Sequence, residues 1–366
     1  MMADAGLRAA VLGRAVPGEA AVVQDLALVA VAEWTVAVSA VGEHSAGVVL
    51  TGLKSLEWAR LDFFMAVLGQ ARVAVTLVGA GAGVGAEAGA GAGDAVWSHV
   101  GAAEGPVLDA AGWGERFAAV WRATAADVMA LFGTVEPRAV AVRLGSLLVR
   151  GASRVRARRS GPTTRRHRAR AGDMQIAAQR NPYARFFAVE EYDVAWRRFD
   201  GDMSDTVTRA AFLSGDAVTV LPYDPGRDRV LVVEQFRAGP HARGDAQCWQ
   251  IEAIAGRIDP GETPEAAARR EAVEEAGLIL TDLMEVARYY PSPGAVSEYL
   301  YSYVALTDLA DGAAGVFGVV GETEDIRGHL LSFAQLMDLV ASGEIENAPL
   351  ILTALWLQRE RARLIL

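Results

Sequence analysis

The chain has 366 residues, of which 52% are hydrophobic and 22% charged, with a formal net charge of −10. At roughly 100–200 residues per domain this is length for two domains, each with a buried core, and the balance excludes a disordered chain or a nucleic-acid binder by bulk charge. A single cysteine, Cys248, excludes an internal disulfide framework, a redox dithiol and a Cys-cluster zinc site, and suits a reducing cytoplasm. The most apolar stretch, Leu26 to Gly42, is broken by Glu33 and falls short of the ~18–20 uninterrupted apolar residues of a membrane span. Two buried strands are expected there, and no secretory signal is evident at the N-terminus.

Residues 1–149 are expected to form a small α+β domain. Short apolar runs of strand character, Trp34 to Val41 and Val73 to Val78, flank a helical patch from Leu53 to Leu68. From Gly79 to Gly93 the chain is almost all Gly and Ala, which predicts a loop. Trp113 to Phe132 and Ala139 to Val149 space their apolar residues as amphipathic helices do. Between Arg150 and Arg170 lie nine arginines and no acidic residue, and residues 150–180 are expected to be a solvated linker. The run contains no aromatic residue for base stacking, so neither nucleic acid nor membrane is an expected partner.

From Asn181 onward the texture changes. Phe186 to Trp196, Thr206 to Phe212, Val218 to Pro222, Val230 to Gln235, Met284 to Tyr290 and Tyr299 to Leu306 read as strands. Asp224-Pro225-Gly226-Arg227-Asp228 has turn chemistry between two of them, and Pro349 to Leu364 reads as a closing helix. Strands with interspersed helices and no regular βαβ alternation predict an α+β fold over 181–366.

Residues 256–278 carry the chemistry. Thr263 is a helix cap, Pro264 suits the first helical position, Glu265 favours the positive helix end, and Gly277 is a stop. Glu271, Glu274 and Glu275 stand three and four apart and share one face of that helix. Three like charges there repel unless a cation covers them; hard oxygens on one face suit Mg²⁺ or Mn²⁺, although a solvated acidic face has the same spacing. Arg270 can pair with a neighbouring glutamate, and the Gly-rich approach from Gly256 to Glu262 brings backbone carbonyls close to the helix start.

This stretch resembles the Nudix box, G-x5-E-x7-R-E-U-x-E-E-x-G-U, with Gly256, Glu262, Arg270, Glu271, Glu274, Glu275, Gly277 and Leu278 matching and Ala272 at the aliphatic position. The resemblance implies an α/β/α sandwich with a mixed sheet, and hydrolysis of a nucleoside diphosphate linked to another moiety. It implies Glu271 and Glu275 as principal metal ligands, Glu274 as a further one and the Ala255 carbonyl as a backbone ligand. Arg270 and Glu262 become orienting residues of the catalytic set, and Gly256 and Gly277 support the box.

The flanks are similar to ADP-ribose pyrophosphatases over roughly residues 180–364. Ser292-Pro293-Gly294-Ala295-Val296-Ser297-Glu298 resembles their SPG-x3-E element, which implies substrate contacts from Ser292, Pro293 and Glu298. Arg237 looks like their phosphate-contacting arginine, where a planar guanidinium suits bidentate binding. Gly321 to Arg327 resembles the acidic loop that supplies their catalytic base, which implies Glu322 or Glu324. In that subfamily the N-terminal strands of one subunit complete the other's adenine site in a homodimer, which implies stacking by Phe186 or Phe187. Ser214 stands where such proteins carry an arginine.

The layout, including FFAVEEYD and ARYYPSPGA, looks closest to tellurite-resistance-associated Nudix proteins. Residues 7–78 resemble the gamma-glutamylcyclotransferase-like fold through GLRAAVLGR and Leu61-Asp62-Phe63-Phe64. Met65 stands where that family places its glutamate acid/base, so this domain is expected to be degenerate. The expected activity is Mg²⁺-dependent cleavage of ADP-ribose into AMP and ribose 5-phosphate. The alternatives are a hydrolase of another nucleoside diphosphate sugar, or a module that binds ADP-ribose without cleaving it.

Overall fold

The computed structural model describes residues 2–31, 34–75, 96–100, 110–158, 161–185, 187–318 and 325–364. The expected Gly/Ala loop, Phe186, Glu322 and Glu324 lie outside the described residues. The chain divides into two compact units, Met1–Thr164 and Arg165–Leu366.

In the first unit helix α1 (Ala5–Leu12) precedes a long antiparallel hairpin, β1 (Glu19–Val31) and β2 (Trp34–Val49). Helix α2 (Ser55–Val67) leads to a second antiparallel pair, β3 (Ala71–Val75) and β4 (Val96–Val100). Three helices follow: α3 (Ala110–Met129), α4 (Pro137–Ala141) and α5 (Leu144–Ala157). Leu7, Phe64, Trp121 and Leu148 are fully buried at the centre of this unit, with Phe64 edge-on to Trp121 at 6.2 Å. The stretch carrying the likeness in GLRAAVLGR is mostly α1.

The segment expected as a linker is shorter than 150–180. Arg150 to Ala157 form the last turns of α5, where Arg150, Gly151 and Ala152 are buried, and a strand begins at Met174. The physical reason is that Arg150, Arg154 and Arg156 lie on an amphipathic helix whose apolar stripe, Leu144, Leu147 and Leu148, is packed in the core.

The second unit opens with an antiparallel sheet of β5 (Met174–Ala184), β6 (Ala188–Trp196) and β7 (Val207–Leu213). The main sheet follows, with β8 (Ala217–Asp224), β9 (Arg229–Phe236), helix α6 (Ala238–Arg243), β10 (Trp249–Glu252), β11 (Ile254–Arg257) and helix α7 (Pro264–Ala276). The chain is completed by β12 (Asp282–Tyr289), β13 (Leu300–Leu306), β14 (Val316–Phe317), β15 (Ile326–Ser332), α8 (Phe333–Ser342) and α9 (Ala348–Glu360). Among the described residues this sheet has eight strands, in the order β12-β13-β8-β9-β15-β14, with β10 on β9 and β11 on β8. It is mixed: β13 runs parallel to β8 and the other pairs are antiparallel.

Strand β8 is buried along its whole length, and its period-2 alternation divides two cores. Val218 and Val220 meet Ala267, Ala268, Ala272 and Ala276 of α7, while Leu221 and Tyr223 meet Leu336 of α8 and Leu350, Ala354 and Leu357 of α9. The unit is thus an α/β/α sandwich. Strands β8 and β9 pair only beside their turn, at Tyr223↔Val230 and Asp224↔Arg229, and beyond it β11 and β10 take over their edges. That splay sets Ala255 opposite Thr219 and Gly256 opposite Val218, at the foot of α7.

Candidate active site

Helix α7 begins and ends as its residues dictate. Thr263 Oγ1 accepts the Ala266 N–H at 3.1 Å, Pro264 occupies the first turn, and Gly277 takes φ +62°. The Gly277 N–H reaches the Val273 carbonyl at 3.0 Å and the Leu278 N–H reaches that of Ala272 at 2.9 Å, which closes the helix. The small alanines of its inner face bring the backbone close to the sheet, so Glu271 and Glu275 are buried rather than solvated.

The acidic face is organised by Arg270. Its Nε and Nη2 donate to Glu262 at 3.1 Å each, and its Nη1 to Glu271 Oε1 at 2.7 Å and Glu274 Oε2 at 2.9 Å. Nη2 also meets the Arg257 carbonyl at 2.9 Å. Burial disfavours the charge, but Glu262 and Glu271 outweigh it and hold the guanidinium above its ordinary value. Glu275 Oε2 accepts the Ala255 N–H at 3.0 Å, and Gln235 Nε2 lies 3.5 Å from Oε1. The Glu271 carboxylate rests where a β-carbon on Gly256 would stand, so only glycine leaves room for it.

A second cluster lies around Arg237 and Glu298. Arg237 gives Nε and Nη2 to Glu252 Oε2 at 3.0 and 2.7 Å. Burial raises the Glu298 carboxyl above its usual range, with Arg257 and Arg237 pulling the other way. Burial likewise lowers the Arg257 guanidinium against the opposing effect of Glu298. Arg257 lies over the Phe187 ring at 5.1 Å, and that ring packs on Phe212 at 4.7 Å. The Phe212 N–H donates to the Ala295 carbonyl at 2.7 Å and the Ser297 N–H to the Phe212 carbonyl at 3.0 Å, which docks the Ser-Pro-Gly turn on β7. Ser292 and Pro293 are exposed in that turn, the Ser292 carbonyl accepting the Ala295 and Val296 N–H groups.

Several contacts of the site have little or no signal in the sequence. Ser297 Oγ accepts the Ser214 N–H at 3.1 Å and donates to its carbonyl at 3.2 Å, and a hydrogen bond from the Ser214 side chain favours the charged form of Glu298. Glu252, 6% exposed, holds Arg237; its lone charge within the apolar run Ile251 to Ile254 is the one sign of it in the sequence. Arg257 and Gln235 carried no such signal.

The donor set fits a divalent cation. Three carboxylates and a strand-edge carbonyl are hard oxygen donors of the kind Mg²⁺ and Mn²⁺ take, and Gly256 leaves the room that the Glu271 carboxylate fills. Arg270 occupies one oxygen of Glu271 and one of Glu274, and among the described residues no three acidic, His or Cys side chains close on a single point.

Residues 213–353 match the family model described as the NUDIX domain. The ADP-ribose pyrophosphatase of Escherichia coli (strain K12) is 40% identical over 186 residues, 51% of this chain and 88% of that protein. That of Haemophilus influenzae is 34% identical over 194 residues, 52% of this chain and 89% of its own. A solved structure described as an ADP compounds hydrolase is 21% identical, covers 51% of this chain and 96% of its own, and superposes with a TM-score of 0.40.

Proposed function

Since the chain belongs to the Nudix family, we propose that its Arg165–Leu366 unit is an ADP-ribose pyrophosphatase, a hydrolase of phosphorus anhydrides that yields AMP and ribose 5-phosphate. The observation that carries this is the intact set of Glu271 and Glu274, fastened by Arg270, and Glu275, held by the Ala255 N–H, beside Gly256. A module that only binds ADP-ribose has no need of that set.

In this reading Glu271, Glu274, Glu275 and the Ala255 carbonyl hold Mg²⁺ or Mn²⁺. The cations, when bound, neutralise the pyrophosphate and acidify the attacking water. Arg270 fixes two of the carboxylates while Glu262 fixes Arg270. Arg237 presents its guanidinium to a phosphate, and Glu298 accepts from substrate hydroxyl groups. Glu322 is the first choice for the base that takes the water's proton, and Glu324 the second. Ser292 and Pro293 border the substrate, and Phe187 or Phe186 stacks on its adenine.

Homodimerisation is supported by β5, which is exposed at nearly every position and displays Met174, Ile176 and Tyr183. Residence in the cytoplasm is supported by the single buried thiol. Among the described residues no helix is long and apolar enough to cross a membrane. The likenesses to gamma-glutamylcyclotransferases and to tellurite-resistance-associated proteins rest on sequence motifs, and no part in the reaction is assigned to the Met1–Thr164 unit. Chromatographic identification of the products tests the reading: AMP and ribose 5-phosphate in equal amounts support it, and unaltered ADP-ribose contradicts it.

A further inference from the structure

We propose that Asn347 is a positioning residue for this reaction: acting through Glu252, it sets the direction of the Arg237 guanidinium. The inference rests on the reading of Arg237 as a phosphate contact. The Asn347 side chain works at both ends. Oδ1 accepts the Leu350 N–H at 3.0 Å and caps α9, while Nδ2 donates to Glu252 Oε1 at 3.1 Å. The other oxygen of Glu252 receives both bonds from Arg237, at 3.0 and 2.7 Å. One carboxylate therefore joins the start of the last helix to an arginine 15 positions from it, just past the end of the neighbouring strand.

Two physical points make this more than a helix cap. Ser, Thr and Asp cap helices as well as Asn does, but only the amide also offers a donor to Glu252. Glu252 is buried, so water cannot replace that donor, and its loss leaves a desolvated oxygen that is relieved by turning the carboxylate. Both Arg237 bonds end on the single atom Oε2, so a turn of the carboxylate carries the guanidinium with it. A phosphate-binding fork displaced in this way loses bidentate alignment.

Asn347→Asp keeps the cap acceptor and turns a carboxylate oxygen toward Glu252. The expected result is a melting temperature lowered by a few degrees with the fold intact, a KM for ADP-ribose raised about tenfold and a kcat within about twofold of wild type. Asn347→Ser, which caps without adding charge, is expected to raise KM about threefold. Arg237→Ala raises KM further, and adding Asn347→Asp to it then changes nothing. The Arg237 Nε–H proton resonance of the substrate-free protein moves in Asn347→Asp. A wild-type KM in Asn347→Asp, or an equal loss with and without Arg237, overturns the linkage. Wild-type kinetics in Arg237→Ala overturn the phosphate reading of Arg237 and the linkage with it.

Discussion

The Glu271 carboxylate occupies the place of the β-carbon that Gly256 lacks, so a strand residue and a helix residue fifteen positions apart share one volume. Gly256→Ala is expected to displace the end of a flexible side chain rather than the backbone. Its melting temperature should stay within a few degrees of wild type while kcat falls about 100-fold, because the moved carboxylate is a ligand position. Thermal denaturation beside steady-state kinetics checks this; loss of fold and activity together contradicts it.

Arg270 holds Glu262, Glu271 and Glu274 from one planar group. Lysine retains the charge but not the fork, so Arg270→Lys should lower kcat about 10–100-fold and raise the Mg²⁺ concentration needed for half-maximal rate. A lysine variant with wild-type metal dependence contradicts the orienting role.

Glu275 is 3% exposed and tied to the Ala255 N–H. Glu275→Gln preserves size and one acceptor, so the fold should survive while turnover falls at least about 100-fold. Activity near wild type contradicts the metal-ligand assignment.

At the far end of β5 the Asp173 carboxyl is drawn down to about 2, first by the hydrogen bond from His167 and then by the Arg170 N–H and Arg197. A carboxyl depressed by folding adds stability above its unfolded value, and that stability is lost as pH falls through the folded value. The gap in unfolding midpoint between wild type and Asp173→Asn should therefore hold near neutrality and close between about pH 4 and pH 2. A gap independent of pH contradicts the pairing.

Helix α7 was legible because its cap, proline, glycine stop and glutamate spacing are local chemistry, and the same holds for the turn at Asp224. Strands β10 and β11 have four residues each, too few for a period to show. Strand β5 is exposed on both faces and so has no alternation to read. The arginines of 150–157 hid the end of α5, because charged stems on a half-buried helix look like a solvated run. Glu252 and Asn347, 95 positions apart, meet only through the packing of α9 on the sheet. Sequence patterns carry no trace of their contact.

The most direct test of the central claim is the comparison of kcat/KM for ADP-ribose with that for ADP-glucose, GDP-mannose, NADH and diadenosine polyphosphates, each with Mg²⁺ and with chelator. The account predicts that ADP-ribose is preferred and that chelator abolishes its conversion to AMP. Binding of ADP-ribose without turnover, or turnover that survives the chelator, would contradict it.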